Sequence, residues 1–229
     1  MGERFKISHS VDLVLCLDSS MQNDGLKALK ETMLDVVYQL WRKAYVCFPS
    51  GCQFRVAIIA FGDYLTHGSQ AIRHTVFFRF PAEAEELQAA IQSIEQTQLS
   101  CGAANGLEAV GYAMKAMPWT GDGVINHHII MVLSDHCTYP LGFCGNVPAY
   151  PKGMAKDFDE LSAWWGKPGN PGLMGRGDKR LVLLAPDAPG WREIRDNWNH
   201  VIHIGTNKID SGMVWETLAV IGNTLFNSI

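Results

Sequence analysis

The chain has 229 residues, a length typical of one α/β domain with a single large core. Apolar residues make up 47% of the chain and charged residues only 18%, which excludes disorder as its general state. The formal net charge is -4 at pH 7, and no cluster of lysine or arginine offsets it. We therefore expect no nucleic-acid partner.

Apolar runs along the chain predict the strands of a buried, mostly parallel sheet. The predicted strands are residues 11–17, 55–61, 74–80, 128–133, 180–187 and 201–204. The link before 74–80 has about ten residues, too few for a crossover helix, so this strand is predicted to pair antiparallel at an edge.

Apolar residues at helical spacing predict the helices that connect these strands. The predicted helices are residues 26–40, 87–94, 107–117, 158–165, 191–198 and 214–225. Between them, the Gly/Pro-rich residues 166–179 are typical of a mobile loop. Together the elements predict an α/β fold: a doubly wound, mostly parallel six-stranded sheet with one antiparallel edge strand and helices on both faces, forming one domain over residues 8–229.

The first six residues mix both signs of charge and lack the apolar core of a signal peptide. No apolar stretch approaches the ~18 residues that a membrane span needs. We therefore expect a cytoplasmic protein with no membrane contact, whose six cysteines are free thiols.

Two aspartates, Asp18 and Asp135, each follow a predicted buried strand. In an open α/β sheet, ligands bind beyond the carboxyl ends of the strands. With Ser20 and Gln22 in the first loop, these carboxylates offer the hard oxygen ligands that suit Mg²⁺. The alternative is that both aspartates cap turns or helices at strand ends.

Several segments resemble the von Willebrand factor A family. Residues 11–20 (VDLVLCLDSS) resemble its first strand and metal loop, residues 105–109 (NGLEA) the start of the helix after its third metal-site loop, and residues 131–135 (MVLSD) its fourth strand. A bacterial, cytosolic subgroup akin to the tellurium-resistance-associated members is similar at residues 156–161 and 180–187 and at Trp191, Trp198 and His203. The resemblance extends from about residue 8 to the C-terminus, and it agrees with the strand order predicted above.

The resemblance implies a metal-ion-dependent adhesion site that holds Mg²⁺. Carried over by position, its ligands are Asp18, Ser20, Gln22 and Asp135. Gln22 stands where the family has a second serine, and the ligand of the second loop falls near Cys101 and Gly102, where no side chain offers a hard oxygen. The implied site is therefore degenerate.

In members with an intact site, the ion keeps one position open for an acidic residue of a protein partner. The resemblance thus implies a non-catalytic protein-interaction module of a bacterial multiprotein system. Without the ion, Asp18 and Asp135 would favour a basic partner. The irregular segment 136–152 carries three aromatic residues that we predict to anchor the partner: Tyr139, Phe143 and Tyr150.

A different class of function stays open. Residues 21–24 (MQND), following an apolar strand, resemble the isochorismatase-like hydrolases, in which a strand-end aspartate works with a nucleophilic cysteine. Cys137 is the candidate nucleophile. Such a cysteine should open a helix, whose dipole lowers its pKa, whereas the sequence after Cys137 predicts a loop.

Overall fold

The computed structural model describes residues 9–49, 51–121, 125–175, 178–210 and 212. The predicted helix at 214–225 lies outside the described residues.

The apolar runs form the strands of one large sheet. The strands are β1 (His9–Asp18), β2 (Cys52–Phe61), β3 (Ile72–His74), β4 (Phe78–Phe80), β5 (Ala103–Ala104), β6 (Ile125–Leu133), β7 (Cys137–Thr138), β8 (Asp178–Ala185) and β9 (Val201–Gly205). The large sheet has the order β3-β2-β1-β6-β8-β9, with β4 also paired to β2, and β5 pairs with β7 in a separate two-stranded sheet. Strands β2, β1, β6, β8 and β9 are parallel, whereas β3 and β4 run antiparallel to β2.

Helices cover both faces of this sheet. They are α1 (Asn23–Cys47), α2 (Tyr64–His67), α3 (Ala84–Gln92), α4 (Gly106–Ala116), α5 (Phe158–Trp165) and α6 (Pro189–Asn197). One apolar core lies under α1 and α3, and a second lies under α4, α5 and α6. The predicted fold class, a mostly parallel α/β sheet with helices on both faces, is confirmed.

Strand β1 shows why the central strands read as unbroken apolar runs. Leu13 and Leu15 belong to the core under α1, while Val14 and Cys16 belong to the core on the other face. Because side chains alternate between the two faces and both faces are covered, every position of the strand after His9 is buried.

The antiparallel edge differs from the prediction in one respect. The single strand predicted at 74–80 is two short strands, β3 and β4, so the large sheet has seven strands rather than six. Between them, Ile58 N donates to the Thr75 side-chain hydroxyl oxygen at 3.0 Å, and Thr75 N donates to Ile58 O at 3.0 Å. The Thr75 hydroxyl thus accepts a hydrogen bond that a backbone carbonyl would accept in a regular antiparallel ladder. The ladder is therefore interrupted at Thr75.

The Gly/Pro-rich stretch after α5 is anchored, contrary to the predicted mobility. The buried Lys179 ammonium donates to Trp165 O at the end of α5 and to Pro171 O at 2.8 Å. Burial lowers the pKa of Lys179. Met174 is also buried, so the described part of this stretch is packed on the domain through Met174 and Lys179.

All six cysteines are unpaired. Among the described residues, no helix has both the length and the apolar character needed to cross a membrane.

Helix α5 begins at a capping aspartate, which allows a test of the fold. Asp157 accepts a hydrogen bond from Glu160 N at 2.9 Å, satisfying one of the free N–H groups of the first turn. We expect Asp157→Ala to lower the free energy of unfolding by about 1 kcal/mol in urea titrations. Asp159→Ala, in the same turn but outside the cap, is the control. Equal losses in the two variants would show that the cap contributes nothing of its own.

Candidate functional site

The candidate site lies at the carboxyl edge of the sheet, between strands β1 and β6. Asp18 is the last residue of β1, and Asp135 follows β6 by two residues. These strands are neighbours, with Leu17 paired to Leu133. Because α1 and α4 cover opposite faces, the crevice for a ligand is expected between them at this point of the edge.

The Asp18 carboxylate is fully buried and uses both of its oxygens. Oδ1 accepts from Ser20 N at 2.8 Å and from the Ser20 hydroxyl. Oδ2 accepts from Ser134 Oγ at 2.6 Å and from His136 Nδ1 at 3.3 Å. Side chains from the first loop and from the loop after β6 are thus joined through one carboxylate.

Asp135 lies beside the N-terminus of α1. Its side chain is only 6% exposed, and Oδ2 accepts from Gln22 N at 3.3 Å. The helix dipole favours a negative charge at this position. Oδ1 lies 2.8 Å from His136 Nδ1 but accepts no well-aligned hydrogen bond within the described structure, so charge rather than a directed bond holds this contact.

The imidazole of His136 lies between these two carboxylates. Asp135 and Asp18 raise the pKa of His136 to about 10, against the opposing effect of burial. The ring is therefore a cation at neutral pH. The sequence placed the segment 136–152 at this edge, but His136 was not among the predicted site residues, although its position directly after Asp135 at a strand end was the available signal.

The predicted ligands are gathered at one edge, but they do not fit Mg²⁺. Mg²⁺ requires oxygen ligands in nearly octahedral geometry. Ser20 gives its hydroxyl proton to Asp18, and Gln22 enters the cluster through a backbone N–H. The two carboxylates also contact the hydroxyl of Ser134 and the cationic ring of His136. The cluster therefore offers protons at the positions where the ion needs lone pairs.

The second loop, which contains Cys101 and Gly102, lies against the loop that follows β1, but neither of these two side chains offers an oxygen ligand. Cys101 and Gly102 are exposed. Thr97 joins the second loop to the first. Its backbone N–H donates to Ser19 O at 2.9 Å, and its hydroxyl lies 2.9 Å from Ser19 Oγ. In addition, Gln96 Nε2 donates to Met21 O at 3.1 Å.

A third buried aspartate, Asp63, organises this edge and was not singled out from the sequence. It accepts from Leu65 N and Ser100 N, each at 2.8 Å, and from Ser100 Oγ at 2.6 Å. Burial alone would raise the pKa of Asp63, but these hydrogen bonds, together with one from Tyr139, lower it. The available signal was its place two residues after β2, which matches that of Asp135 after β6.

The three aromatic residues predicted as partner anchors lie in different environments. Tyr139 is 4% exposed, and its hydroxyl lies 3.2 Å from Asp63 Oδ2 and 2.9 Å from Cys101 Sγ. It is therefore a packing residue, which corrects the expectation that a partner contacts it. Phe143 stacks on Tyr139 at 4.8 Å and is 57% exposed, so it can meet a partner.

Tyr150 fastens the irregular segment to helix α4. This half-buried residue donates from its hydroxyl to Glu108 Oε1 at 3.0 Å, and Gly142 N donates to the same oxygen at 3.2 Å. Glu108 is fully buried, and burial raises its pKa. The segment 136–152 is thus held by buried polar contacts rather than projecting from the edge.

An open polar cavity of about 800 Å³ adjoins the charged cluster. Its lining residues are Ser20, Gln22, Asp24, Gln96, Thr97, Gln98, Leu99, Gly102 and His136. The amide side chains of Gln22, Gln96 and Gln98 belong to exposed residues. Because Asp18 and Asp135 lie beneath the surface, a ligand in this cavity meets amides first and buried carboxylates only through His136.

Cys137, the candidate nucleophile of the alternative function, is exposed on strand β7 and not at the start of a helix. Across the described part of the chain, no hydrogen bond joins its thiol to a histidine or lysine.

Comparison with known proteins finds neither a matching family model nor a matching curated protein. Among solved structures, the chain is similar to the pilus adhesin SpaC from Lactobacillus rhamnosus GG at a TM-score of 0.56 and 12% identity, covering 94% of this chain and 30% of that one. It is also similar to proximal thread matrix protein 1 from the mussel byssus at a TM-score of 0.50 and 12% identity, covering 96% of this chain and 47% of that one. The chain thus spans less than half the length of these proteins, and the likeness is one of fold alone.

Proposed function

We propose that the chain is a non-catalytic protein-interaction module of the von Willebrand factor A type, acting in the cytoplasm as part of a bacterial multiprotein system. Its partner binds at the carboxyl edge of the sheet. The observation that carries this proposal is the polar cavity of about 800 Å³ beside the Asp18–Asp135–His136 cluster. It occupies the crevice where sheets of this topology bind ligands.

The chemistry of the cavity favours a polar segment of a protein. Exposed amides of Gln22, Gln96 and Gln98 can both donate to and accept from a peptide backbone. Asp24 adds one exposed carboxylate at the cavity and so favours a basic neighbour. Phe143, exposed on the segment 136–152, is the candidate apolar anchor.

The hydroxyls at this edge are poorly arranged for nucleophilic catalysis. Ser20 and Ser134 both donate to Asp18, and neither is bonded to a neutral base. His136, the one histidine lining the cavity, is held as a cation between carboxylates and cannot accept a proton. These arrangements support binding over turnover.

A capture experiment with a matched pair of variants tests the proposal. Gln98→Arg places a long cationic side chain in the cavity, while Gln53→Arg makes the same change at an exposed position near the amino end of β2. Immobilised wild-type chain and the Gln53→Arg variant are expected to retain the same protein from a lysate of the producing cells. We expect Gln98→Arg to bind that protein at least tenfold more weakly, with an unchanged melting temperature.

Equal binding by Gln98→Arg and the wild type would contradict the location of the binding surface. Selective loss in the Gln53→Arg variant would place that surface at the opposite edge. Adding Phe143→Ala to the comparison tests the anchor, since it removes an exposed ring without opening a core cavity.

A further inference from the structure

The positive charge at the carboxyl edge comes from a side chain one residue beyond Asp135. We propose that the imidazole of His136 takes the position of a divalent cation between Asp18 and Asp135, so that this edge assembles without a metal ion. Removing the ring alone then creates a cation site. The inference deepens the proposed function, since it makes partner binding independent of metal, but its test does not require a partner.

The two carboxylates need a positive charge. Both side chains are almost fully buried, and the ligand atoms of Asp18, Asp135 and His136 lie within 4.8 Å of one another. Two negative charges at this separation repel each other unless a cation lies close. The Ser20, Ser134 and Gln22 donors provide hydrogen bonds but no charge. In the described part of the chain, His136 is the one cationic side chain within ion-pair distance of either carboxylate.

The ring and an ion compete for the same place. Nδ1 lies 2.8 Å from Asp135 Oδ1 and 3.3 Å from Asp18 Oδ2. An ion bound by the same two oxygens would compete with the Nδ1–H group for their lone pairs. The ring and an ion are therefore alternative partners of these carboxylates.

Hydrogen bonds hold the backbone of His136 on both sides of its Cα atom. His136 N donates to Ser134 Oγ at 3.1 Å, and His136 O accepts from Trp191 Nε1 at 3.1 Å. Trp191 is fully buried on α6, so the peptide groups on both sides of the ring are held by the core. The cation is therefore built into the fold, in contrast to an ion taken from solution.

The second loop agrees with this assignment. At the place where the resemblance implies a ligand from the second loop, the chain has Cys101 and Gly102. Neither side chain carries an oxygen. An edge that assembles around His136 in place of an ion needs no metal ligand there.

Mn²⁺ titration of four forms of the chain tests the proposal. The forms are the wild type, His136→Ala, His136→Ala with Asp18→Asn, and His74→Ala. The last removes an exposed histidine elsewhere and serves as the matched control. By calorimetry and by the electron paramagnetic resonance of free Mn²⁺ at neutral pH, we expect His136→Ala to bind at least tenfold more tightly than the wild type. The added Asp18→Asn change should abolish this gain, and His74→Ala should match the wild type.

Thermal unfolding gives a second readout if His136→Ala is unstable. Mn²⁺ is expected to raise the melting temperature of His136→Ala, and that of the milder His136→Asn variant, but not that of the wild type. The proposal is overturned if neither variant gains affinity. It is equally overturned if the wild type binds Mn²⁺ tightly and loses it on Asp18→Asn, because His136 would then be a ligand rather than a replacement. If both His136 variants are too unstable to titrate, Mn²⁺ binding by the wild type, compared with that of Asp18→Asn, still tests the proposal. None of these outcomes depends on the capture experiment, so the two proposals can fail separately.

Discussion

Replacing Trp191 by alanine is expected to lower the free energy of unfolding by about 4 kcal/mol, the typical cost of emptying a fully buried tryptophan site. The indole belongs to the core under α4, α5 and α6 and packs directly on Gly106 at the start of α4. The surrounding structure is not expected to fill the space left by the indole. Gly106 has no side chain, and helix α6 is held in place by its other buried residue, Ile194. Chemical denaturation measures the loss.

Gly106 provides the matched second variant for this prediction. A Cβ atom on Gly106 would overlap the Cη2 and Cζ2 atoms of Trp191, so Gly106→Ala alone should cost about 2 kcal/mol through overpacking. With Trp191→Ala in place, the added methyl group enters the vacated space. The double variant is therefore expected to be no less stable than Trp191→Ala alone. Simple additivity of the two losses would show that the contact between the residues is not the cause.

Trp191→Phe separates packing from the hydrogen bond to the site. Phenylalanine keeps most of the ring volume but removes the N–H that Trp191 donates to His136 O at 3.1 Å. We expect a loss of about 1 kcal/mol, the typical net contribution of one hydrogen bond. The hydrogen bond from Trp191 thus connects the core under α4, α5 and α6 to the backbone that carries His136.

The architecture was accessible from the sequence because its central strands are buried on both faces. Burial of every side chain leaves an unbroken apolar run, which is visible without knowledge of the partners of the strand. The gathering of Asp18 and Asp135 at one edge follows from the same topology. The division between β3 and β4 was not accessible, because it depends on a hydrogen bond from Ile58 N to the Thr75 side chain.

The details of the site were less predictable, because they depend on contacts between distant residues. The hydroxyl of Tyr139 lies against Asp63, 76 residues earlier in the chain. The backbone carbonyl of His136 accepts a hydrogen bond from Trp191, 55 residues later. Residue type and strand-end placement indicate which side chains meet at the edge, but they do not indicate which oxygens are already occupied by protons from neighbouring residues.

Removing the Asp63 carboxylate is expected to cause a second large loss of stability. Asp63→Ala should lower the free energy of unfolding by about 3 kcal/mol, because it leaves the N–H groups of Leu65 and Ser100 without their acceptor. The Tyr139 hydroxyl loses one of its partners as well. We also expect faster hydrogen exchange in residues 95–102, since Ser100 holds that loop to the edge of the sheet. Asp187→Ala is the matched control: it removes an aspartate that follows β8 by two residues at the same edge but is exposed and paired only with surface arginines.

The pH dependence distinguishes the charge of Asp63 from its shape. Because hydrogen bonds lower its pKa in the folded state, the stability that Asp63 contributes is present above the unfolded value of about 3.9 and is lost as the pH falls through the folded value. Asp63→Asn keeps the size of the side chain and one acceptor oxygen. We expect it to be less stable than the wild type at neutral pH and to approach the wild type as the solution is acidified, when the carboxyl group of the wild type becomes neutral too. A difference between the two proteins that stays constant down to the acid transition would mean that Asp63 acts through packing, and that the second loop is held to the edge by Thr97 and Gln96 instead.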